Sequence, residues 1–477
     1  MNHPKHPRRQ FLASMLSLVG GTAAPFALNL AAMGTAAAQS ATDYKAVVCL
    51  FMNGGNDGHN TVLATDSTSW NEYQRIRTTS DADSIALPAL GATGGVLPIS
   101  PSGAQAGRAF ALHPTLGSIK TLFDAGRAAI IANVGTLVEP TTLAQYKARS
   151  VALPARLFSH NDQQSMWQSY KPEGAPSGWG GQMADLMATS NSNATFTCIS
   201  TAGNAVFLSG RQVRQYQIAA AGAVPISNLN SDLFGMSAGA NQLRNVVTGQ
   251  RTDMFEKEYT DVVNRAINAH SMLSTGMAPA GDTGVPNPLP YINPNTLVGK
   301  SNNLATQLQT VARIIAGRNA LGAKRQVFFV NLGGFDNHDA QKANHADVLA
   351  RVAHAVAYFD AMLANLQGVD MRKQVTLFTA SDFGRTLTSN GDGTDHGWGS
   401  HHFVVGGAVK GGTIYGNFPV TGLKHDLDVG SGSLLPTISV DQYGATIARW
   451  FGLADSQLAD VFPNIGNFSA RNLGFLG

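Results

Sequence analysis

The chain has 477 residues, 44% of them hydrophobic and only 13% charged, with a formal net charge of +3. That excess lies in the first 38 residues, where Lys5, Arg8 and Arg9 meet no acidic side chain; the remainder carries 30 basic and 30 acidic residues. A neutral body without a Lys/Arg-rich block excludes bulk attraction to nucleic acid, and its apolar content is ample for a large core.

Residues 1–38 read as an export signal. A basic start runs into Arg8-Arg9-Gln10-Phe11-Leu12, an apolar stretch continues to Ala32, and Ala36-Ala37-Ala38 gives a small-residue cleavage pattern before Gln39. Paired arginines with Phe and Leu directly after them point to the twin-arginine translocase, and so to a periplasmic or secreted protein of a bacterial envelope. Gly20, Gly21 and Pro25 weaken a spanning helix. No later segment offers about 20 continuous apolar residues, so the mature protein is expected to have no membrane span. Export in the folded state raises the expectation of a bound metal or cofactor.

Six short apolar runs predict buried parallel strands: 46–52, 128–134, 195–200, 326–331, 374–380 and 403–405. Cys49 and Cys198 fall in two of these runs and read as buried free thiols. Leu304, Leu308, Val311 and Ile315 mark one helix face. Val348, Val352, Val356, Phe359 and Leu363 mark a second, on which His345 and His354 read as packing or surface residues. Alternating strand and helix argues for an α/β fold with an open, mostly parallel sheet and helices on both faces, spanning 44–477. From about 201 to 303 the alternation stops, and 274–303 is dense in Gly, Pro and Asn. This region reads as an insertion or cap.

In open α/β sheets, ligand sites form beyond the carboxyl ends of the strands. Here those ends carry Asn53-Gly54-Gly55-Asn56-Asp57-Gly58, then Gly333-Gly334-Phe335-Asp336-Asn337-His338, then Ser381-Asp382-Phe383-Gly384-Arg385-Thr386. Asp395-His396-Gly397-Trp398-Gly399-Ser400-His401-His402 leads into the last run. Carboxylates and imidazoles together suit zinc, manganese or iron, whereas oxygen-only sites suit magnesium or calcium. The alternative is that each Asp stabilises a turn or caps a helix.

These four motifs, with Gly406-Gly407 following the last, resemble a bacterial family of exported proteins, the domain of unknown function numbered 1501. That family is related to the alkaline phosphatase and sulfatase superfamily. The resemblance implies an alkaline phosphatase-like fold and a metal-dependent hydrolase of phosphate or sulfate esters, small-molecule or glycan. It implies a divalent ion, with zinc, manganese and calcium as candidates. Residue by residue, Asp57 resembles the superfamily's first metal carboxylate, and Asp336 with His338 resembles its later Asp/His pair. Asp382 matches the Asp of an Asp-His pair, but Phe383 stands in the histidine position. His401 or His402 resembles the last histidine ligand, and His396 is a candidate replacement for the missing one. Ser159 falls where a nucleophile would stand, at the start of a predicted helix over 161–170. With Asp162 it equally fits an N-cap box. His160 is a base or a surface residue. Arg385 binds an anionic substrate through its fork of donors or pairs with Asp382. The Phe383 departure leaves a second reading, an envelope binding or scaffold protein that kept the fold and lost catalysis. A third, a serine hydrolase with Ser237 in Gly235-Met236-Ser237-Ala238-Gly239, lacks the hydrophobic strand that such an elbow requires.

Overall fold

Each of the six apolar runs contains a strand, although in 195–200 the strand starts only at Cys198, after a 3-10 turn over Ala194–Phe196. The computed structural model describes residues 43–80, 84–103, 105, 107–220, 222, 226, 229 and 239–477; the export signal over 1–38 and Ser237 lie outside the described residues. The strands that matter here are β1 (Lys45–Met52), β2 (Ala128–Gly135), β3 (Cys198–Ser200), β4 (Tyr216–Gln217), β5 (Arg325–Leu332), β6 (Val375–Ser381), β7 (Arg385–Ser389), β8 (Thr394–His396), β9 (Ser400–Val405), β10 (Ile414–Tyr415) and β11 (Ile438–Ser439). The principal helices are α1 (Ser67–Arg77), α2 (Gly117–Asp124), α3 (His160–Ser169), α4 (Trp179–Met187), α5 (Met254–Gly276), α6 (Asn303–Ala316), α7 (Gln341–Leu363) and α8 (Val440–Phe451).

A nine-stranded sheet runs in the order β10-β2-β9-β6-β1-β5-β3-β4, with β11 also on β2. Strand β1 sits centrally, parallel to both β5 and β6. Its side chains alternate between faces. Ala46, Val48, Leu50 and Met52 join a core with residues of α2, α6 and α7. Val47, Cys49 and Phe51 join a second core with residues of α3, α4 and α8. Both faces of the sheet are therefore covered by helices, which is why its strands read as continuous apolar runs. Cys49 and Cys198 are buried free thiols.

The expectation of parallel strands fails for the last run. Strand β9 is antiparallel to both β6 and β2. Only the β7–β8 hairpin separates β6 from β9. A parallel return needs a crossover of a dozen or more residues, usually helical, and none is present. The reversal has a functional consequence, because β9 starts at the end of the sheet where β1, β5 and β6 finish. The His396–His402 segment thus arrives beside the Asp-bearing turns.

Between 201 and 303 lie β4, a helix over Gly239–Thr248, α5, and a small hairpin of Tyr291–Ile292 with Gly299–Lys300. Among the described residues, no helix is long and apolar enough to cross a membrane.

Candidate functional site

The turn after β1 sets the geometry. Gly54 and Gly55 have φ of 116° and 86°, in the region that favours glycine. A Cβ on Gly54 would strike the Asp336 backbone, and one on Gly55 the Phe383 ring. These two glycines let the turns after β1, β5 and β6 close on one another. The Gly54 N–H donates to Asp382 Oδ1 at 3.1 Å.

The Asp382 side chain is 0% exposed. Its Oδ2 accepts from His160 Nδ1 at 2.7 Å and from Gln164 Nε2 at 2.9 Å. Those two residues stand four apart on α3, so they share one face of its first turns. A carboxylate only accepts, so His160 Nδ1 carries a proton, and the ring turns its Nε2 the other way. That Nε2 lies 3.3 Å from Asp336 Oδ2. The hydrogen bond to Asp382 pushes the His160 pKa upward against the opposing effect of burial.

His396 is built the same way. Its Nδ1 lies 2.8 Å from the Phe158 carbonyl oxygen, which also only accepts. Phe158 is left-handed, with φ of 72°. The His396 Nε2 is then a bare lone pair, 3.5 Å from Asp336 Oδ1 and 3.1 Å from His338 Nε2. Burial lowers the His396 pKa, so the neutral ring is favoured.

Asp336 is the hub, with a side chain 43% exposed. Its Oδ1 accepts from Arg385 Nη1 at 2.9 Å and lies 3.1 Å from His338 Nε2. Partial burial works to raise its pKa, but the charges of Arg385, His160 and His338 outweigh that and hold it below the usual carboxylate range. Arg385 has a fully buried side chain. It pairs with Asp336, not with Asp382 as its position beside Asp382 in the chain suggested. Its Nε donates to Thr394 Oγ1, and its Nη2 has no partner among the described residues. The β7–β8 ladder places Arg385 directly opposite His396. Gly384 N to Trp398 O and Gly397 N to Gly384 O lock the two motifs together.

His160, Asp336 and His396 offer ligand atoms that lie within 4.8 Å of one another, a group able to hold a metal ion. Tetrahedral coordination at ~2.0–2.1 Å would space ligand atoms about 3.3 Å apart. The His160–Asp336 and His396–Asp336 separations are 3.3 and 3.5 Å, the first to Oδ2 and the second to Oδ1, so the two rings approach opposite oxygens of one carboxylate. In each histidine the outer nitrogen is anchored on an acceptor and the inner nitrogen faces Asp336, the orientation usual for metal-bound imidazole. The donor set fits a divalent ion.

The other sequence candidates sit elsewhere. Asp57 is 2% exposed and its carboxylate is fully engaged. Oδ1 accepts from Arg77 Nη2 and the His59 N–H, both at 3.0 Å; Oδ2 accepts from Arg77 Nη1 and from Gln341 Nε2. Burial opposes ionisation here, but the Arg77 charge holds the carboxyl well below the usual range. Arg77, at the end of α1, is itself fully buried and also donates to the Thr386 and Leu387 carbonyls. His401 accepts the Asn133 N–H and stacks on Phe418, and His402 packs on Trp167 and Tyr443. Both are buried in the core. Ser159 occupies the N-cap position of α3, yet its hydroxyl caps no backbone group and donates to Asp162 Oδ2 at 2.8 Å.

Four contributors escaped the sequence reading: Arg77, Gln164, Gln341 and Thr394. Gln341 bridges Asp57 and Thr394, and Thr394 in turn meets Arg385, so hydrogen bonds connect the buried Asp57–Arg77 pair to Asp336. Single residues on separate elements give no pattern in one dimension. The His160/Gln164 pair, polar on a helix otherwise largely buried, was the one available signal.

The family described as "Protein of unknown function (DUF1501)" matches residues 44–461. No curated protein matches the chain. Among solved structures it is similar to Ps i-CgsB in complex with k-i-k-neocarrahexaose, at 10% identity and TM-score 0.34, over 91% of this chain and 78% of that one. It is similar to the PsFucS1 sulfatase from Pseudoalteromonas sp. at 12% identity and TM-score 0.33, over 90% and 71%. A Bacteroides thetaiotaomicron protein described under the metabolism of multiple glycosaminoglycans matches at 12% and 0.33, over 87% and 74%.

Proposed function

The chain belongs to the DUF1501 family, and from that premise we propose that it is an exported, metal-dependent hydrolase of phosphate or sulfate esters. The observation that carries this reading is the facing of two histidines, His160 and His396, each anchored through Nδ1, across Asp336. Two imidazoles beside a carboxylate favour zinc or manganese over calcium. Such an ion would supply Lewis acidity and lower the pKa of bound water.

The remaining roles belong to the chain. Asp382 and the Phe158 carbonyl orient the two rings. Arg385, fully buried, holds Asp336 with one nitrogen and sets a positive charge beneath the cluster, where it would favour an anionic ester. Ser159, beside His160 at the start of α3, is the candidate nucleophile, its hydroxyl oriented by a hydrogen bond to Asp162. The Arg8-Arg9 signal assigns export to the twin-arginine translocase, and Arg8→Lys with Arg9→Lys should retain the protein in the cytoplasm.

A second reading, a binding or scaffold protein of the envelope, is favoured by two features. Phe383 packs on the His160 and His396 rings at 4.8 and 4.5 Å, and Arg77 occupies the carboxylate of Asp57. The deciding measurement is metal content of mature periplasmic protein, purified without chelator or affinity histidines, with turnover of aryl phosphates and aryl sulfates. A transition metal lost in Asp336→Asn, with turnover of one ester class, supports the hydrolase. A folded, metal-free and inactive protein supports the binding role.

A further inference from the structure

Beside the cluster lies a cavity of about 350 Å³, within the size range of small-molecule sites. Its wall carries an unusual density of amides: Asn53, Asn161, Gln164, Gln168, Asn204 and Asn331. No lysine, arginine or histidine lines it, and its one charged residue is Glu173. Gln164 belongs to both sites, because its Nε2 donates to Asp382 while its side chain lines the cavity. Asn53 directly precedes the Gly54 N–H that holds Asp382 Oδ1. Among the described residues, the side chains of Asn53, Asn161 and Asn331 make no hydrogen bond to protein.

We infer that this amide-lined cavity binds a neutral, polyhydroxylated group, a sugar ring, next to the His160–Asp336–His396 cluster. An amide side chain carries donors and an acceptor together, as a hydroxyl group does, so each amide can meet a hydroxyl in either sense. Amides do not ionise, so the cavity has no counter-charge for an anionic group, and Glu173 repels one. The single lining aromatic, Phe329, is buried in the sheet and offers no face for stacking a planar base. Charge is thereby partitioned, with the anionic part of a ligand beside Arg385 and the neutral hydroxylated part in the cavity. The inference rests on the hydrolase reading only in making the sugar the alcohol part of the ester; binding of the sugar itself requires neither metal nor turnover.

The test uses the mature protein and a panel of neutral methyl glycosides of hexoses and N-acetylhexosamines, with binding read by saturation-transfer NMR and calorimetry. At least one glycoside should bind the wild type. Asn161→Leu combined with Asn331→Leu should weaken it by about tenfold or more, the loss of one or two neutral hydrogen bonds. Asn161 is exposed, so Asn161→Leu alone keeps the test open if the double variant does not fold. Asp336→Asn should leave glycoside binding in place. No binding by wild type, or binding indifferent to both amide variants, overturns the inference. Glycoside binding without ester hydrolysis refutes the hydrolase reading alone, and aryl-ester hydrolysis without glycoside binding refutes the sugar site alone.

Discussion

Replacing Asp382 by Asn separates orientation of His160 from everything else in the site. The carboxylate is fully buried and accepts three hydrogen bonds, from His160, Gln164 and Gly54. Asn keeps the size and one acceptor oxygen but turns two donor hydrogens toward groups that are themselves donors. With the amide oxygen toward His160 and Gln164, which share Oδ2, the Gly54 N–H loses its acceptor, and with the amide flipped His160 and Gln164 both do; either way a buried donor is left unpaired, a cost of about 1–3 kcal/mol. Removing an outer partner of a metal-bound histidine lowers affinity by about 10–100-fold, or about 1.4–2.7 kcal/mol. The metal-free protein gives an independent signal. The hydrogen bond to Asp382 is the largest cause of the raised His160 pKa, so the ring should titrate at lower pH in the variant. A folded-state pKa raised above the unfolded value stabilises fully below the unfolded value of about 6.5 and is lost as pH rises through the folded one. Asp382→Asn should therefore destabilise the metal-free protein more at pH 6 than at pH 8. The assays are histidine-ring NMR across pH, urea unfolding at the two pH values and chelator competition. An unchanged His160 titration together with unchanged metal affinity would refute the reasoning.

Two further outcomes follow from the core. Asp57→Asn strands the buried Arg77 guanidinium and should cost about 3–5 kcal/mol in urea unfolding, without changing metal content; loss of metal would instead place Asp57 at the ion. Burial pushes His345 down to about 4 and His402 to about 3. Because the unfolded chain protonates these rings at about 6.5, their stabilising contribution is lost as pH falls below that value toward 3. Asp441, raised by burial to about 6, acts in the opposite sense between its unfolded value and 6 and partly offsets the loss. Apparent melting temperature should therefore decline from pH 7 to pH 4, and less steeply with His402→Gln; a flat profile would contradict this assignment.

What the sequence determined by itself is local. Runs such as Ala46–Met52 announce a buried strand because every residue in them is apolar, and the α6 and α7 faces follow from helical spacing. The strand-end motifs identify Asp336, Asp382 and His396 as neighbours in chemistry, since ligand sites gather at those ends. What only the tertiary structure decided is which charges meet. Asp57 and Asp336 look alike in sequence, each following a glycine turn, yet one lies against Arg77 and the other against Arg385 and histidine rings. Likewise His396, His401 and His402 stand within seven residues, and the turn into β9 sends the first to the cluster and the other two into the core. The direction of β9, antiparallel because the residues linking it to β6 fold as the β7–β8 hairpin and not as a crossover helix, is the reason. Side-chain period along a strand can be read in one dimension, whereas the partner across a sheet end depends on chain paths that close only in three.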